Sequence, residues 1–141
     1  MILCDVNILI YAFRSDAEDH RRYKAWLEAV INGPAAYGVA PLVLASLVRI
    51  CTHRRIFSRP SSLDNTFEFC RVILGQPNAT VIVPGERHWS IFESLCQDCE
   101  SAGNIVQDAW FAALAIESGC EWITTDRDYA RFKGLTWRAA L

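Results

Sequence analysis

The chain has 141 residues, 52% of them apolar and 21% charged, a composition that predicts a folded domain with a sizeable core and excludes intrinsic disorder. Its net charge of −2 excludes the overall basic character of many nucleic-acid-binding proteins. No uninterrupted apolar stretch approaches the roughly 20 residues of a membrane span, and no Lys or Arg precedes the first apolar run. We therefore expect a cytoplasmic protein that does not associate with membranes.

Apolar runs and helical spacing predict alternating strands and helices in the first part of the chain. In chain order these are a strand over 2–4, a helix over 6–13, an amphipathic helix over 19–31, a strand over 37–39 and a helix from 41 to about 53. The segment Asn32-Gly33-Pro34 ends the second helix, and Pro41 favours the start of the third because proline fits the first turn of a helix.

The alternation continues through the second part of the chain. The predicted elements are a helix that starts within 61–64, a strand over 79–83, a helix over 86–102, a helix over 108–118, a strand over 121–125 and a last strand over 135–138. The first of these helices carries one apolar stripe, which consists of Leu63, Phe67, Cys70 and Leu74. Gly103 and Gly119 are predicted to stop the helices that precede them.

Short apolar strands that alternate with helices predict an α/β fold in which helices cover both faces of a parallel sheet. Sites in such folds lie beyond the carboxyl ends of the strands. Asp5 and Asp126 each fall at the end of a predicted strand, and Asp108 begins a predicted helix. All three carboxylates can therefore converge on one edge of the sheet.

Each of these carboxylates also has a simple structural interpretation. Asp5 and Asp108 can cap the helices that follow them, and Asp126 can be a turn residue. Together, however, they would crowd one crevice, where two carboxylates about 4 Å apart repel by roughly 4 kcal/mol at an effective dielectric constant near 20. A divalent cation would relieve that repulsion, and oxygen ligands favour Mg²⁺ or Mn²⁺ over zinc.

The six cysteines lie mostly among apolar residues, and we interpret them as reduced core thiols. Cys96 and Cys99 form a CxxC motif, which could be a redox pair or half of a zinc site. A zinc site needs a second pair of ligands with similar spacing, and the chain has none. We therefore interpret this motif as two thiols late in a helix.

Two segments carry a resemblance to a known family. MILCDVNILIYAF resembles the opening of PIN-domain nucleases, in which the first strand ends in Asp, followed by a small residue, Asn and an apolar helix. GNIVQDAWFAALAIESGCEWITTDRDYARF is similar to the second half of that family's site, where an Asp opens a buried helix and the next strand ends in Thr-x-Asp. The resemblance covers essentially the whole chain and is strongest to the VapC-type toxins of bacterial toxin–antitoxin pairs.

The resemblance implies a single PIN domain over 1–141, a three-layer α/β/α fold with a central, mostly parallel sheet of 4–5 strands. It implies that Asp5 and Asp108 bind the metal, Mg²⁺ or alternatively Mn²⁺, and that Asp126 is the third catalytic carboxylate. Asn7 and Asp128 are implied as auxiliary residues, the former as a hydrogen-bonding support of Asp5. The implied reaction is hydrolysis of a phosphodiester in tRNA, rRNA or mRNA by a metal-activated water.

One position departs from the family pattern. Many members carry a Glu on the helix after the second strand, where this chain has Ser46 in APLVLASLVRI, and no acid lies between Glu28 and Asp64. Ser46 could hydrogen-bond a water of the metal, or it could have no special role. A single metal ion, weaker metal binding, or a carboxylate supplied by Asp128 would each fit this departure.

The interval without acids is basic and predicts an RNA contact. Phosphate groups pair well with Arg, and the positively charged residues of the interval are Arg49, Arg54, Arg55 and Arg59, with His53 between the first two. A solvated helix end is the alternative interpretation. The resemblance further implies a homodimer and an antitoxin protein that blocks the crevice, for which Phe13, Tyr23 and Trp26 are candidate contacts, although core packing explains each of them individually.

Two other functions remain open at this point. Asp5 could be the covalent nucleophile of a phosphotransferase, as in haloacid-dehalogenase-type folds, but those usually have a second Asp where this chain has Asn7. The chain could also be a non-catalytic RNA- or protein-binding module, a nuclease fold silenced by Ser46 in place of Glu.

Overall fold

One parallel sheet organises the computed structural model, which describes residues 1–141. The strands are β1 (Ile2–Cys4), β2 (Tyr37–Val39), β3 (Ala79–Val81), β4 (Glu121–Ile123) and β5 (Trp137–Arg138), and their order across the sheet is β3-β2-β1-β4-β5. The helices are α1 (Val6–Phe13), α2 (His20–Ile31), α3 (Pro41–Cys51), α4 (Leu63–Leu74), α5 (His88–Asp98) and α6 (Asn104–Ser118), with a 3₁₀ helix at Arg127–Arg131. No helix has both the length and the apolar character to cross a membrane.

The predicted fold class is confirmed: helices flank a sheet of five parallel strands in a three-layer arrangement. The central strand β1 pairs with both of its neighbours, since Leu3 lies opposite Gly38 on one side and Trp122 on the other. Leu3 and Trp122 are almost completely buried. A Cβ at Gly38 would lie 2.9 Å from a side-chain carbon of Ile82, so only glycine leaves room for this packing.

Helix α6 is the most deeply buried helix next to the sheet. Its inward positions are small residues that let it pack closely, and Ala109, Ala112, Ala113 and Ala115 have no exposed surface. Gly119 ends α6 in the left-handed conformation, with φ of 66°, as predicted from its position.

Several predicted boundaries are wrong. The helix predicted over 86–102 is the shorter α5, and Gly103 does not stop it but precedes α6, with φ of 59°. α6 therefore begins at Asn104 rather than at Asp108, and the interpretation of Asp108 as a helix cap is wrong. The strands β3 and β4 are shorter than predicted, because the register of their pairing with β2 and β1 ends at Val81 and Ile123.

The predicted apolar stripe of α4 is not the face that packs inward. Thr66, Cys70 and Ile73 are buried, whereas Leu63, Phe67 and Leu74 are exposed. The helix has apolar residues on two sides, and helical spacing alone does not identify the side that meets the core. All six cysteines are free thiols, as predicted, with Cys96 in the last turns of α5 and Cys99 directly after it.

Candidate active site

Asp5 lies at the carboxyl end of the central strand, as the sequence predicted. Its backbone N–H extends the ladder to β4 by donating to the carbonyl of Ile123 at 2.9 Å. The next residue starts α1, and Asp5 is the N-cap of that helix: its Oδ1 accepts the N–H of Val6 at 2.6 Å. Its side chain is thus fixed between a strand and a helix, with only 7% of the residue exposed.

Thr124 connects the second oxygen of Asp5 to the neighbouring strand end. The Thr124 hydroxyl donates to Oδ2 of Asp5 at 2.6 Å and accepts the N–H of Asp126 at 3.0 Å. The Asn7 amide donates to both, at 3.1 Å to Oδ2 of Asp5 and 3.1 Å to the Thr124 hydroxyl oxygen. The expected support of Asp5 by Asn7 is therefore present. The role of Thr124 was not predicted, although the Thr-x-Asp pattern contained it.

Asp108 projects from the second turn of α6 toward the same place. A cavity of about 200 Å³ is lined by Asp5, Ser46, Arg49, Asp108 and Tyr129, together with Val6, Ile50, Asn104, Gln107 and Phe111. The structure thus brings Asp5 and Asp108 to one cavity, with Ser46 of α3 on its wall. Ser46 is itself buried, with 7% exposure.

The carboxylates of this cavity are electrostatically strained. Burial raises the pKa of Asp5 to about 6, and the negative charges of Asp108 and Asp126 contribute, against hydrogen bonds from Thr124 and Val6 that lower it. Burial likewise raises the pKa of Asp108, with a further contribution from Asp126. No ion pair of the structure involves Asp5, Asp108 or Asp126. These groups therefore favour any cation that reaches the cavity.

Tyr129 is a site residue that the sequence did not predict. Its ring packs between Trp122 and Phe132, with centroid distances of 5.5 and 5.7 Å, and the residue is 2% exposed. Its hydroxyl faces the Asp108 carboxylate and lowers the pKa of that group. Burial and the three surrounding carboxylates raise the pKa of Tyr129, so it is a neutral hydrogen-bond donor in the cavity.

Asp126 and Asp128 lie on the 3₁₀ turn after β4. Asp126 caps this turn, since its Oδ1 accepts the N–H of Asp128 at 2.8 Å, which confirms the turn interpretation. Asp126 does not line the cavity that Asp5 and Asp108 share, and it acts on the site through its charge, which raises the pKa of both Asp5 and Asp108. Asp128 is exposed and forms an ion pair of 3.4 Å with Arg131.

The donor set of the cavity fits a hard divalent cation held by few protein ligands. No group of three or more His, Cys, Asp or Glu residues is arranged to hold a metal ion. Two carboxylates, Asp5 and Asp108, face the cavity without a cationic partner. Mg²⁺ is commonly bound by one or two carboxylates and retains several waters, so this pair suits it, whereas a zinc site with thiolate or imidazole ligands is not available.

Of the predicted RNA contacts, only Arg49 reaches this cavity. Its side chain is exposed, lines the cavity wall and makes no ion pair. Arg54, Arg55 and Arg59 are exposed on the loop that follows α3 and do not line the cavity. The first arginine of the basic interval therefore lies beside the carboxylates, and the other three lie outside the cavity.

The aromatic residues predicted to contact an antitoxin are all partly buried. Phe13 packs on Phe69, with ring centroids 4.9 Å apart, and Tyr23 packs on Tyr11 at 5.0 Å. Trp26 packs against the small cluster around Ile8. Each has a structural role, and each keeps part of its surface accessible.

Comparison with known proteins identifies the family. A family model described as the PIN domain matches residues 2–135. The chain belongs to the PIN-domain family. This PIN domain is 39% identical over 141 residues to Ribonuclease VapC43 of Mycobacterium tuberculosis, an alignment that covers 100% of this chain and 96% of the relative. It is 36% identical over 132 residues to Ribonuclease VapC25 of the same organism, an alignment that covers 94% of this chain and 93% of the relative. The predicted resemblance to VapC-type PIN domains is confirmed.

Solved structures show the same fold. A chain of the crystal structure of VapBC2 from Rickettsia felis bound to a promoter DNA fragment matches with a TM-score of 0.70 and 18% identity, over 99% of this PIN domain and 98% of that chain. Mycobacterium tuberculosis VapC20, described as a Sarcin-Ricin loop cleaving toxin, matches with a TM-score of 0.64 and 15% identity, over 96% of this PIN domain and 99% of that chain. At these identities the matches support the three-layer fold alone.

Proposed function

We propose that this PIN-domain protein is a metal-dependent endoribonuclease and the toxin of a cytoplasmic toxin–antitoxin pair. The observation that carries the proposal is the pair Asp5 and Asp108, which face one cavity with raised pKa values and no cationic partner. Relatives at 36–39% identity over most of the chain are named VapC ribonucleases, which supports the same activity. The substrate is RNA, and the cation is Mg²⁺, with Mn²⁺ as a substitute.

Asp5 and Asp108 are the residues that would hold the cation. A divalent cation bound there supplies Lewis-acid chemistry, since it lowers the pKa of water and stabilises charge on phosphoryl oxygens. The hydrogen bonds from Val6, Thr124 and Asn7 keep Asp5 in one orientation, and Oδ1, which accepts only the Val6 N–H, retains a lone pair for a ligand. This support reduces the reorganisation needed when the site is loaded.

Asp126 and Arg49 complete the proposed machinery. One Asp126 oxygen accepts a backbone N–H from Asp128, which leaves the other oxygen without a protein partner and able to accept a proton from the attacking water. Arg49 lies on the cavity wall without an ion pair and would bind a phosphate of the RNA beside the scissile bond. Arg54, Arg55 and Arg59 would contact the phosphates of the flanking nucleotides.

The covalent-nucleophile alternative has little support from this geometry. A nucleophilic carboxylate needs an accessible oxygen, whereas Asp5 is 7% exposed and both of its oxygens accept hydrogen bonds. Asn7 donates to Asp5, where the phosphotransferase pattern has a second Asp.

A non-catalytic binding module is the second candidate, and Ser46 is the observation that favours it. Ser46 is buried on the cavity wall where many family members carry Glu, so the cavity has one carboxylate fewer. Incubation with labelled single-stranded RNA and with folded tRNA, in Mg²⁺, in Mn²⁺ and in chelator, separates the two candidates. Cleavage that chelator abolishes supports the nuclease, and binding without cleavage in either cation supports the binding module.

We further propose that the protein forms a homodimer and is inhibited by a small antitoxin. Structural relatives include VapBC complexes and a toxin–antitoxin complex from Klebsiella pneumoniae, which supports a protein partner. The partly accessible rings of Phe13, Tyr23 and Trp26 would form part of its contact surface. Size-exclusion chromatography with light scattering on the purified protein tests the dimer, and the same measurement after co-expression with any short reading frame found directly upstream of the gene tests the complex.

A further inference from the structure

Arg14 is a buried cation outside the carboxylate site. It is the residue that ends α1, and its side chain is 6% exposed. A guanidinium is rarely buried without several partners, because its desolvation is costly unless its N–H groups are paired. The partners of Arg14 therefore indicate what this residue holds in place.

One edge of the guanidinium pairs with a neighbour in sequence. Nε and Nη2 donate to the two carboxylate oxygens of Asp16, at 2.9 and 2.6 Å, in the bidentate geometry that suits Arg and not Lys. Asp16 is itself largely exposed. This pair compensates the charge of Arg14 and fixes the plane of the guanidinium.

The remaining contacts all reach a distant segment of the chain. Nη1 donates to the Ser61 hydroxyl at 3.1 Å, and Nη2 donates to the backbone carbonyl of Arg59 at 3.0 Å. The guanidinium carbon lies 3.7 Å from the ring centroid of Phe57, a close cation–π contact. Arg14 thus binds a hydroxyl, a carbonyl and an aromatic ring within five consecutive residues.

That segment belongs to the basic loop, defined here as residues 52–62 between α3 and α4. Its first residues, Thr52 and His53, bond back to carbonyls of α3, and the Ser61 N–H donates to the Cys51 carbonyl at 2.8 Å. Between them the bonds are local to the loop: the N–H groups of Ile56 and Phe57 donate to the His53 carbonyl at 3.1 Å, and the Arg55 N–H donates to Nδ1 of His53 at 3.0 Å. The side chains of Arg54, Arg55 and Arg59 make no ion pairs. Arg14 is accordingly the main side-chain anchor of a loop that carries three arginines without ion pairs.

Helix α1 connects this anchor to the carboxylates. Asp5 is the N-cap of α1 and Arg14 is its C-cap, so the two ends of one eight-residue helix, about 12 Å long, carry the site and the anchor. A short helix with buried Ile8 and Leu9 is a rigid spacer. The position of the basic loop is therefore fixed relative to the Asp5–Asp108 cavity.

We propose that Arg14 is a positioning residue for RNA binding, whose guanidinium holds the basic loop so that its arginines face the RNA that enters the cavity. This inference rests on the proposed ribonuclease function. Arg14 does not touch the substrate and acts through Arg54, Arg55 and Arg59. Its loss should weaken RNA binding and leave the chemical step unchanged.

The test uses the full chain with the substitutions Arg14→Gln and Arg14→Lys. A third variant, Asp16→Asn, weakens the exposed partner of Arg14 and serves if the Arg14 variants do not fold. Arg21→Gln is the control, since Arg21 is exposed on α2 and makes no ion pair. Limited trypsin digestion, read by mass spectrometry, reports cleavage after Arg54 and Arg55. Cleavage kinetics on a labelled RNA give KM and kcat.

We expect trypsin cleavage in the basic loop to accelerate about tenfold in Arg14→Gln, because cleavage follows the population of the opened loop. We expect the KM for RNA to rise about five- to tenfold with kcat within about twofold, since only binding is weakened. The trypsin rate and the KM of Arg14→Lys should be close to those of Arg14→Gln, because a Lys ammonium cannot form the bidentate pair with Asp16. Arg21→Gln should match the wild type in both measurements.

Unchanged trypsin cleavage in the loop would overturn the inference, and so would faster trypsin cleavage with an unchanged KM for RNA. A fall in kcat at constant KM would also overturn it, because Arg14 would then act on the chemistry or the fold. If the wild type does not cleave RNA, the proposed function fails separately, and fluorescence anisotropy with the same RNA decides the inference. Weaker RNA binding by Arg14→Gln than by the wild type then supports it, and equal binding overturns it.

Discussion

The Thr124 hydroxyl donates to Oδ2 of Asp5 across 2.6 Å and so ties together the carboxyl ends of the adjacent strands β1 and β4. The same oxygen of Thr124 accepts hydrogen bonds from Asn7 and from the backbone of Asp126. One buried hydroxyl therefore orients a proposed metal ligand and the turn that carries the third carboxylate. This network makes Thr124 the first residue to test outside the carboxylates themselves.

Thr124→Val should lower the free energy of unfolding by about 1–3 kcal/mol, because the Asp126 N–H and the Asn7 amide lose an acceptor in a buried place. The pKa of Asp5 should rise further, since the Thr124 hydrogen bond lowers it. Thr124→Ser keeps the hydroxyl and is the matched control. Urea unfolding measures the stability, and a Val variant as stable as the Ser variant would contradict this role.

The raised pKa of Asp5 predicts a pH-dependent stability in chelator. The native pKa is about 6 against an ordinary value of 3.8, so the folded protein binds the proton more tightly than the unfolded chain. The stabilisation from Asp5 is therefore complete below about pH 4 and is lost as the pH rises through 6, a loss of about 3 kcal/mol. Urea unfolding of the wild type and Asp5→Asn should give similar stability at pH 4 and a more stable variant at pH 7. Parallel pH profiles would show that Asp5 ionises normally.

Ser46→Glu should destabilise the protein in chelator and lose that disadvantage when a divalent cation is bound. In chelator a third carboxylate in the cavity should destabilise the protein by about 1–3 kcal/mol relative to Ser46→Gln, which has the same size without the charge. In saturating Mg²⁺ the difference should vanish or reverse, because the cation binds the native state only. Thermal unfolding of the two variants in both conditions measures this. An identical response to Mg²⁺ in both would exclude Ser46 from the metal's surroundings.

Tyr129→Phe should preserve the packing of the ring and remove the hydroxyl beside Asp108. We expect stability to change by less than about 1 kcal/mol and the affinity for Mn²⁺ to fall several-fold, since hydrogen bonds to metal-binding carboxylates orient them. Isothermal titration calorimetry measures the affinity. Unchanged Mn²⁺ binding would show that Tyr129 contributes packing alone.

The sequence predicted the fold class and the positions of Asp5 and Asp108 because these depend on local signals. Strand β1, helix α1 and strand β2 match their predicted bounds, since an apolar run followed directly by a helical pattern allows few alternatives. The family motifs located Asp108, although its helix begins one turn earlier than predicted.

What could not be predicted depends on packing between distant segments. The packing of α4 against its neighbours decides its buried face, which carries Thr66, Cys70 and Ile73 and leaves Leu63 and Phe67 exposed. The contact of Tyr129 with Asp108 and that of Arg14 with the basic loop join residues from separate elements. Spacing along the sequence does not predict such contacts. Thr124 is different, because it is part of the Thr-x-Asp pattern and could have been predicted from it.

The most direct measurement of the proposed function is Mg²⁺-dependent RNA cleavage by Asp108→Asn beside the control Asp98→Asn, which removes the same charge from an exposed residue that makes no ion pair. We predict that Asp108→Asn folds, loses at least about a hundredfold in cleavage rate and no longer gains stability from Mg²⁺. The Asp98→Asn control should cleave RNA as the wild type does. Cleavage by Asp108→Asn at a rate close to that of the wild type would contradict the assignment of Asp5 and Asp108 as the catalytic pair.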